Sequence, residues 1–356
     1  FGVRLPVCFE VLDQMLNQFA TWARQSAAEV TRWKAFYADG KRYFKTLSTQ
    51  STLEALFRDT VKIVEIEPHN YCNRVCSFCG NSSIDRRTHK IAMSDSVFES
   101  ILSTLEKVSF SGQIRFARYS EPLALDSIYA MISRAKRRCP NAEIMIISNG
   151  DYLYPSTMNR LIEAGLDRLH VSIYLPAKET WTLPRARHFA KKFLDRLEIE
   201  QSIESYAANK IQGVIEWPGL AITYNSVNYD LEGVFRLGVG QVIPDEYARR
   251  DPCMLVLYNV TIDFDGAVLP CCNLRGDHPE HKKYVLGRIG QDGELLDIWG
   301  NQVSVEWRKE LFQFKSHRDP CASCSQVDLS REMHWPIRLL VWKNRAGYLD
   351  KLKSVD

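Results

Sequence analysis

Along the first half of the chain, stretches with hydrophobic residues at the spacing of a strand alternate with stretches at the spacing of a helix. Residues 61–68 (VKIVEIEP) are rich in β-branched side chains and predict a buried strand. Behind the cap residue Ser94, a helical apolar stripe follows: Phe98, Ile101, Leu102 and Leu105. Further strands are predicted at 114–120, 143–150 and 168–174, with helices around 128–135 and 158–165. Strands and helices that alternate in this way need parallel crossovers, so the pattern predicts an α/β fold.

The two ends of the chain show helical spacing. Residues 1–58 predict an N-terminal helical cap, and 331–356 predict a C-terminal helical tail. The last strands of the parallel sheet are expected around 219–225 and 233–243. Asp265 and Gly266 stand between the alternating runs NVTIDF and AVLP and predict a β-hairpin.

The composition excludes several classes of protein. With 45% hydrophobic and 25% charged residues among 356, the chain is globular rather than disordered or fibrous. It has no apolar run near the roughly 18 residues that span a bilayer, and its first residues lack the pattern of a secretion signal, so a cytoplasmic protein is expected. A net charge of +3 favours neither a nucleic-acid nor a membrane partner. Basic clusters at 136–138 and 185–188 predict solvated helix faces.

Ten cysteines are the unusual feature of the composition. Without a secretion signal, cysteines are more often metal ligands, nucleophiles or buried apolar residues than disulfide partners. Seven of them form two groups: Cys72, Cys76 and Cys79, and then Cys253, Cys271, Cys321 and Cys324. Nothing typical of a metal site surrounds Cys8 or Cys139, which we interpret as incidental.

The first group, HNYCNRVCSFCGN, has the spacing C-x3-C-x2-C. Its thiolates match neither the helical nor the strand period, so they must wrap a loop around a common centre. Thiolates select zinc, copper(I) or iron–sulfur clusters. Zinc would need His69 or His89 as its fourth ligand, whereas a [4Fe-4S] cluster on three cysteines leaves one iron open for chemistry. The spacing favours the cluster, with zinc and coincidence as alternatives.

With Phe78 directly before its last cysteine, this group resembles the signature of the radical S-adenosylmethionine (SAM) superfamily. The resemblance implies that the open iron chelates the amino and carboxylate groups of SAM. It also implies that the reduced cluster cleaves SAM to methionine and a 5′-deoxyadenosyl radical. An external electron donor such as flavodoxin or ferredoxin is implied as well.

Residues at the carboxyl ends of the predicted strands fit the same resemblance, because loops converge there in parallel barrels. Residues 119–122 stand where the superfamily has Gly-Gly-Glu-Pro, although Tyr119 and Ser120 replace the glycines. The resemblance implies that Glu121 accepts a hydrogen bond from the amino group of SAM. The other contacts implied for SAM are Phe78, Ser120, Ser148, Asn149 and Ser172. The alternatives are a helix-start carboxylate for Glu121 and an ordinary turn for the Ser-Asn-Gly sequence.

The second cysteine group surrounds the predicted hairpin. A hairpin brings its ends together, so Cys253 and Cys271 can approach each other, and the pair at 321 and 324 could complete a zinc or a cluster site. The order C-x12-G-x4-C, a gap and C-x2-C resembles the twitch region, a shortened SPASM extension of some radical SAM enzymes. No cysteine follows Cys324, so the resemblance implies one auxiliary [4Fe-4S] cluster held entirely by protein.

The fold that these patterns and the resemblance predict is an incomplete (β/α)6 radical SAM barrel with a C-terminal twitch subdomain. Its expected divisions are the helical cap at 1–58, the barrel at 59–250, the auxiliary-cluster domain at 251–330 and the helical tail at 331–356.

The resemblance implies chemistry that begins with abstraction of a hydrogen atom from a small, carbohydrate-like substrate shielded inside the barrel. Our leading hypothesis is dehydrogenation or epimerisation of a sugar or aminocyclitol in the biosynthesis of a natural product such as an antibiotic. In a dehydrogenation, the auxiliary cluster is suited to take the second electron. A base must then take the hydroxyl proton, and Arg118, Tyr119 and Tyr174 are candidates by their strand-end positions.

Cys272, next to Cys271, has two interpretations. It is either a buried structural thiol or the donor of a hydrogen atom to a substrate radical, as in the epimerases that this family resembles. Modification of a peptide or protein side chain is the alternative reaction, and the absence of predicted strands in the cap weighs against a ribosomal peptide. A zinc-binding interaction protein is the alternative of another class.

Overall fold

The computed structural model describes residues 44, 46–47, 49–176, 179–200, 202–229, 248–250, 252–311 and 315–324. Apart from Phe44, all of these belong to one compact unit, Thr46–Gln326, and a second unit comprises 1–45 and 327–356. Three predicted features lie outside the described residues: most of the N-terminal cap, the strand at 233–243 and the C-terminal tail.

The helices of the described residues are α1 (Gln50–Thr60), α2 (Asp95–Lys107), α3 (Ile128–Arg138), α4 (Pro155–Ala164), α5 (Leu183–Arg196), α6 (Leu255–Tyr258), α7 (Leu295–Gly300) and α8 (Gln302–Leu311). Their strands are β1 (Ile63–Ile66), β2 (Gln113–Phe116), β3 (Glu143–Ser148), β4 (Arg168–Ser172), β5 (Ile203–Ala207), β6 (Lys210–Trp217), β7 (Leu220–Val227), β8 (Asn259–Ile262), β9 (Ala267–Leu269) and β10 (Gly287–Arg288). Short 3-10 turns occupy Gly80–Ser82, Pro122–Ala124 and Lys282–Tyr284.

These strands join one sheet in the order β10-β9-β8-β1-β2-β3-β4-β7-β6-β5. From β8 to β7 every neighbouring pair is parallel, which confirms the predicted α/β fold. Within the described residues the sheet is open, because β10 and β5 lie at its two ends. The carboxyl ends of the parallel strands therefore share one edge, where the candidate site is expected.

The helices cover the sheet as their apolar stripes predict. The side chain of Ser94 accepts a hydrogen bond from the backbone N–H of Val97 and caps α2. Behind this cap, Phe98, Ile101 and Leu102 are buried. The sequence pattern thus predicted correctly both the start of this helix and the face that packs on the sheet.

Two extensions of the sheet were not predicted. The hairpin of β5 and β6 extends the sheet beyond β7, and alternate residues of β6 are buried. At the other end, β8 lies parallel to β1, with Ile63 opposite Asn259. The hairpin at Asp265 and Gly266 is confirmed by the antiparallel pairing of β8 with β9. The sequence did not reveal that β8 would also extend the central sheet.

Buried ion pairs join the sheet to the hairpin region. The guanidinium of Arg118, which follows β2, lies 2.6 Å from a carboxylate oxygen of Asp263, and both side chains are buried. Arg86 pairs with Glu67 at 2.6 Å and with Asp277 at 2.7 Å. Arg118 also has a left-handed backbone with φ of 86°, a conformation that costs a non-glycine residue energy. The ion pair of Arg118 with Asp263 therefore forms despite an unfavourable backbone conformation.

We expect Arg118→Met to lower the free energy of unfolding by about 3–5 kcal/mol, because it leaves a buried carboxylate without its partner. Urea unfolding of anaerobically purified protein measures this change. Arg168→Met is the matched control, since Arg168 pairs with Glu143 at 2.7 Å and the two side chains are 41% and 38% exposed. The control should lose about 1 kcal/mol or less. Equal losses in the two variants would contradict a special role for the pair of Arg118 and Asp263.

Candidate functional site

The first cysteine group lies in a loop that follows β1. The backbone N–H of Cys79 donates to the carbonyl of Cys76 at 3.0 Å, and the 3-10 turn begins directly afterwards. Burial raises the pKa of Cys72 to about 11 and that of Cys76 to about 12. These thiols therefore lie in surroundings of low polarity, where a bound metal would offset the cost of forming a thiolate.

Within the described residues, no three His, Cys, Asp or Glu side chains lie close enough to hold a single metal ion. A [4Fe-4S] cluster makes a different demand, because each cysteine binds its own iron atom. The zinc alternative needed His69 or His89 as a fourth ligand. Both ring nitrogens of His69 already have backbone partners, the carbonyl of Glu121 at 2.8 Å and the N–H of Tyr71 at 3.2 Å.

Glu121 forms hydrogen bonds with two other strand-end residues. Its buried carboxylate accepts hydrogen bonds from the Ser148 hydroxyl at 2.8 Å and from the Asn149 backbone N–H at 2.7 Å. The structure thus brings together three residues that the sequence placed on two different strands. Glu121 also caps the next 3-10 turn through the N–H of Leu123, as its alternative interpretation expected. Burial raises the pKa of Glu121 to about 7.

Asn149 connects Glu121 to the cysteine loop. Its side-chain amide donates to Asn73 at 2.8 Å and lies 4.0 Å from the sulfur of Cys72. The end of β3 is therefore held against the first cysteine of the group. Ser120 is buried beside Glu121, and Ser172 is buried at the end of β4.

An ion pair that the sequence did not predict fixes the cysteine loop. Arg74, between Cys72 and Cys76, donates two hydrogen bonds to Asp151, at 2.7 and 2.6 Å, and a third to the carbonyl of Tyr174 at 3.2 Å. Although burial acts to raise it, the pKa of Asp151 is lowered by these hydrogen bonds and by the charge of Arg74. The loop is thereby fastened to the residues that follow β3 and β4.

An open cavity of about 520 Å³ adjoins the same loop. It is lined by residues 73–78, by 173–176, by 227–229, and by Arg87, Glu179 and Trp181. The ring of Phe78 stacks on Tyr229, with centroids 4.0 Å apart, and lies 5.3 Å from the ring of Tyr174. Loss of solvent around its hydroxyl raises the pKa of Tyr174 well above its usual range. Tyr174 therefore keeps its proton at neutral pH and suits hydrogen-bond donation better than proton acceptance.

Arg118 and Tyr119, the other two candidate bases, do not line this cavity. Arg118 is the buried partner of Asp263 and also donates to the carbonyl of Leu274 at 2.6 Å. The hydroxyl of Tyr119 donates to the carbonyl of Asn273 at 3.1 Å. Both side chains contact the second cysteine region, so their strand-end position does not direct them to the cavity.

The second cysteine group converges on one small cavity of about 20 Å³, which Cys253, Cys271, Cys321 and Cys324 all line. The backbone N–H of Asn273 donates to the sulfur of Cys271 at 3.2 Å, as N–H groups do to cluster thiolates. A hydrogen bond with Cys272, together with burial, raises the pKa of Cys271 well above its usual range. Four buried or half-buried thiols around one cavity fit a cluster that is held entirely by protein.

Comparison with known families agrees with this arrangement. Residues 66–205 match the model of the radical SAM superfamily, and residues 253–325 match that of SPASM, an iron–sulfur cluster-binding domain. Residues 66–205 form a radical SAM domain, and residues 253–325 form a SPASM domain. Radical SAM enzymes use iron–sulfur clusters and SAM, so the predicted class of enzyme and its cofactors are confirmed. The cysteines proposed as cluster ligands fall within the two matched segments.

Individual relatives extend the likeness over most of this chain. It is 24% identical over 274 residues to the S-adenosyl-L-methionine-dependent 2-deoxy-scyllo-inosamine dehydrogenase of Niallia circulans, a match that covers 76% of this chain and 95% of that enzyme. The crystal structure of BtrN in complex with AdoMet and 2-DOIA superposes with a TM-score of 0.55 at 24% identity, covering 75% of this chain and 94% of that one. An open conformation of BtrN gives 0.51 at 20% identity, covering 77% and 97%. These two structures confirm the fold.

Among the helices of the described residues, none is both long and apolar enough to cross a bilayer.

We expect Asp151→Asn to slow cleavage of SAM by about 10- to 100-fold, because removal of the charge that holds Arg74 loosens the cysteine loop. Formation of 5′-deoxyadenosine by the reduced, anaerobic enzyme measures this rate. Asp167→Asn is the matched control, since Asp167 pairs with Lys136 at 2.7 Å and both side chains are about a third exposed. Its rate should change by no more than about twofold. A similar loss in both variants would contradict the role assigned to the pair of Arg74 and Asp151.

Proposed function

We propose that this chain uses a SAM-derived radical to dehydrogenate a small aminocyclitol or sugar alcohol in the biosynthesis of a natural product such as an antibiotic. The observation that carries the proposal is the similarity to the dehydrogenase of Niallia circulans, which extends over 95% of that enzyme. The convergence of four cysteines on one cavity supports it, because oxidation of an alcohol needs an acceptor for a second electron.

The residues of the chain divide between two cofactor sites in this proposal. Cys72, Cys76 and Cys79 would hold the SAM-binding cluster, and the four cysteines of the second group would hold the auxiliary cluster. When bound and reduced, the first cluster and SAM supply the 5′-deoxyadenosyl radical. Glu121 and Asn149, fixed by their mutual hydrogen bond, are positioned to bind SAM beside Cys72.

The aromatic wall of the large cavity has a separate role. Phe78, Tyr174 and Tyr229 form one cluster of rings, which would shield a substrate radical formed beside it from water. The protonated hydroxyl of Tyr174 is suited to donate a hydrogen bond to an oxygen of a polyhydroxylated substrate. Flavodoxin or ferredoxin as electron donor and a cytoplasmic location stay predictions from the sequence.

We expect anaerobically reconstituted protein to be brown and to hold about eight irons per chain. Reduced enzyme incubated with SAM and 2-deoxy-scyllo-inosamine or related aminocyclitols should form 5′-deoxyadenosine in step with a product that is two hydrogen atoms lighter. Replacement of Cys72, Cys76 and Cys79 by Ala is the control, which should keep about four irons and form neither compound. Colourless protein with bound zinc would contradict the proposal, and a product of unchanged mass would favour epimerisation.

Cys272→Ala separates dehydrogenation from epimerisation. The thiol of Cys272 contacts Cys271 and does not line the large cavity, and oxidation needs no hydrogen-atom donor. We therefore expect this variant to keep formation of the dehydrogenated product, as measured by mass spectrometry, within about threefold of the unchanged enzyme. Cys139→Ala, at a buried cysteine outside both groups, controls for the loss of a thiol. Abolished turnover in Cys272→Ala with iron content retained would instead favour the epimerase.

A further inference from the structure

Tyr119 lies between the two cysteine groups. It does not line the large cavity, and it is not among the residues expected to contact SAM. Its carbonyl accepts a hydrogen bond at 2.6 Å from the side chain of Asn81, which stands two residues after Cys79. Its hydroxyl donates to the carbonyl of Asn273 at 3.1 Å, with the carbonyl of Cys272 at 3.5 Å. Tyr119 thus contacts both the segment that follows Cys79 and the segment that follows Cys271.

The contact at Asn273 leads directly to a proposed cluster ligand. The backbone N–H of Asn273 donates to the sulfur of Cys271 at 3.2 Å, and the carbonyl of Asn273 accepts a hydrogen bond from the Tyr119 hydroxyl. The carbonyl in the same peptide unit as this N–H is that of Cys272, which lies 3.5 Å from the Tyr119 hydroxyl, and a hydrogen bond to that carbonyl polarises the N–H. The Tyr119 hydroxyl is therefore placed to keep the N–H of Asn273 directed at the sulfur.

The ring of Tyr119 is held independently of its hydroxyl. The guanidinium of Arg275 lies 4.6 Å from the ring centroid, and that of Arg118 lies 5.4 Å from it. Arg275 is fully buried and also donates to Asn81 at 3.3 Å. A phenylalanine at position 119 would keep these ring contacts, so its substitution isolates the effect of the hydroxyl.

We propose that Tyr119 is a positioning residue whose hydroxyl raises the reduction potential of the auxiliary cluster through the N–H of Asn273. Hydrogen bonds to a cluster sulfur stabilise the more negative, reduced state and so raise the potential. The inference rests on the proposed function, in which Cys271 is a ligand of that cluster. A higher potential makes the cluster a better electron acceptor, which is its part in the proposed dehydrogenation.

Redox titration of the holoenzyme, followed by electron paramagnetic resonance, tests this inference. Tyr119→Phe should shift the midpoint potential of the auxiliary cluster to a more negative value, with iron content unchanged. Tyr224→Phe is the matched control, since Tyr224 is also buried but its hydroxyl contacts Ser202 at 2.9 Å in the β5–β7 region. The control should leave the potential unchanged. The same titration in protein with Cys72, Cys76 and Cys79 replaced by Ala reads the auxiliary cluster alone.

A second substitution should shift the potential in the opposite direction, and it tests the inference even if the Tyr119→Phe variant does not retain iron. Site-specific 3-fluorotyrosine at position 119 keeps the hydroxyl and makes it a stronger donor, so the potential should rise. An unchanged potential in Tyr119→Phe with iron retained, or no rise with 3-fluorotyrosine, would overturn the inference alone. Absence of an auxiliary cluster from the unsubstituted holoenzyme would overturn the proposed function and this inference with it.

Discussion

Buried charge at the junction between the sheet and the second cysteine region is the constraint on which the rest of the site depends. Arg118 pairs with Asp263, and Arg86 pairs with both Glu67 and Asp277. A buried ion pair adds little net stability over an apolar contact, but removal of one partner is costly. Such pairs therefore fix which surfaces meet. Because the pairs join segments adjacent to both cysteine groups, they also fix the spacing between the two proposed clusters.

Parts of the site were predictable because they follow from local pattern or from the geometry of a parallel sheet. The spacing of Cys72, Cys76 and Cys79 alone indicated a loop around a cluster. Glu121 and Ser148 were expected near one another because the ends of adjacent parallel strands share an edge, and their hydroxyl–carboxylate hydrogen bond of 2.8 Å agrees with this. The approach of Cys253 to Cys271 was expected from the hairpin, and both line the same small cavity.

The remaining parts depend on tertiary contacts that leave no periodic signal. Nothing in the sequence around Arg74 indicates that it pairs with Asp151, more than 70 residues later. Strand-end position alone could not distinguish Tyr174, which lines the cavity, from Tyr119, which contacts Asn273. A strand end places a Cα atom at the rim of the sheet, but the neighbouring segments decide where its side chain points. Here those segments come from the second cysteine region.

The position of β8 beside β1 also bears on how the protein is made. β1 can pair with β2 once residue 116 has emerged from the ribosome, but its other edge has no partner until residues 259–262 emerge. An unpaired strand edge invites association with other chains. The region that contains β8 and the second cysteine group therefore pairs with the otherwise free edge of β1 within the same chain. Truncation before it would expose that edge, so the region protects the completed chain from association through β1 as well as carrying the second group of cysteines.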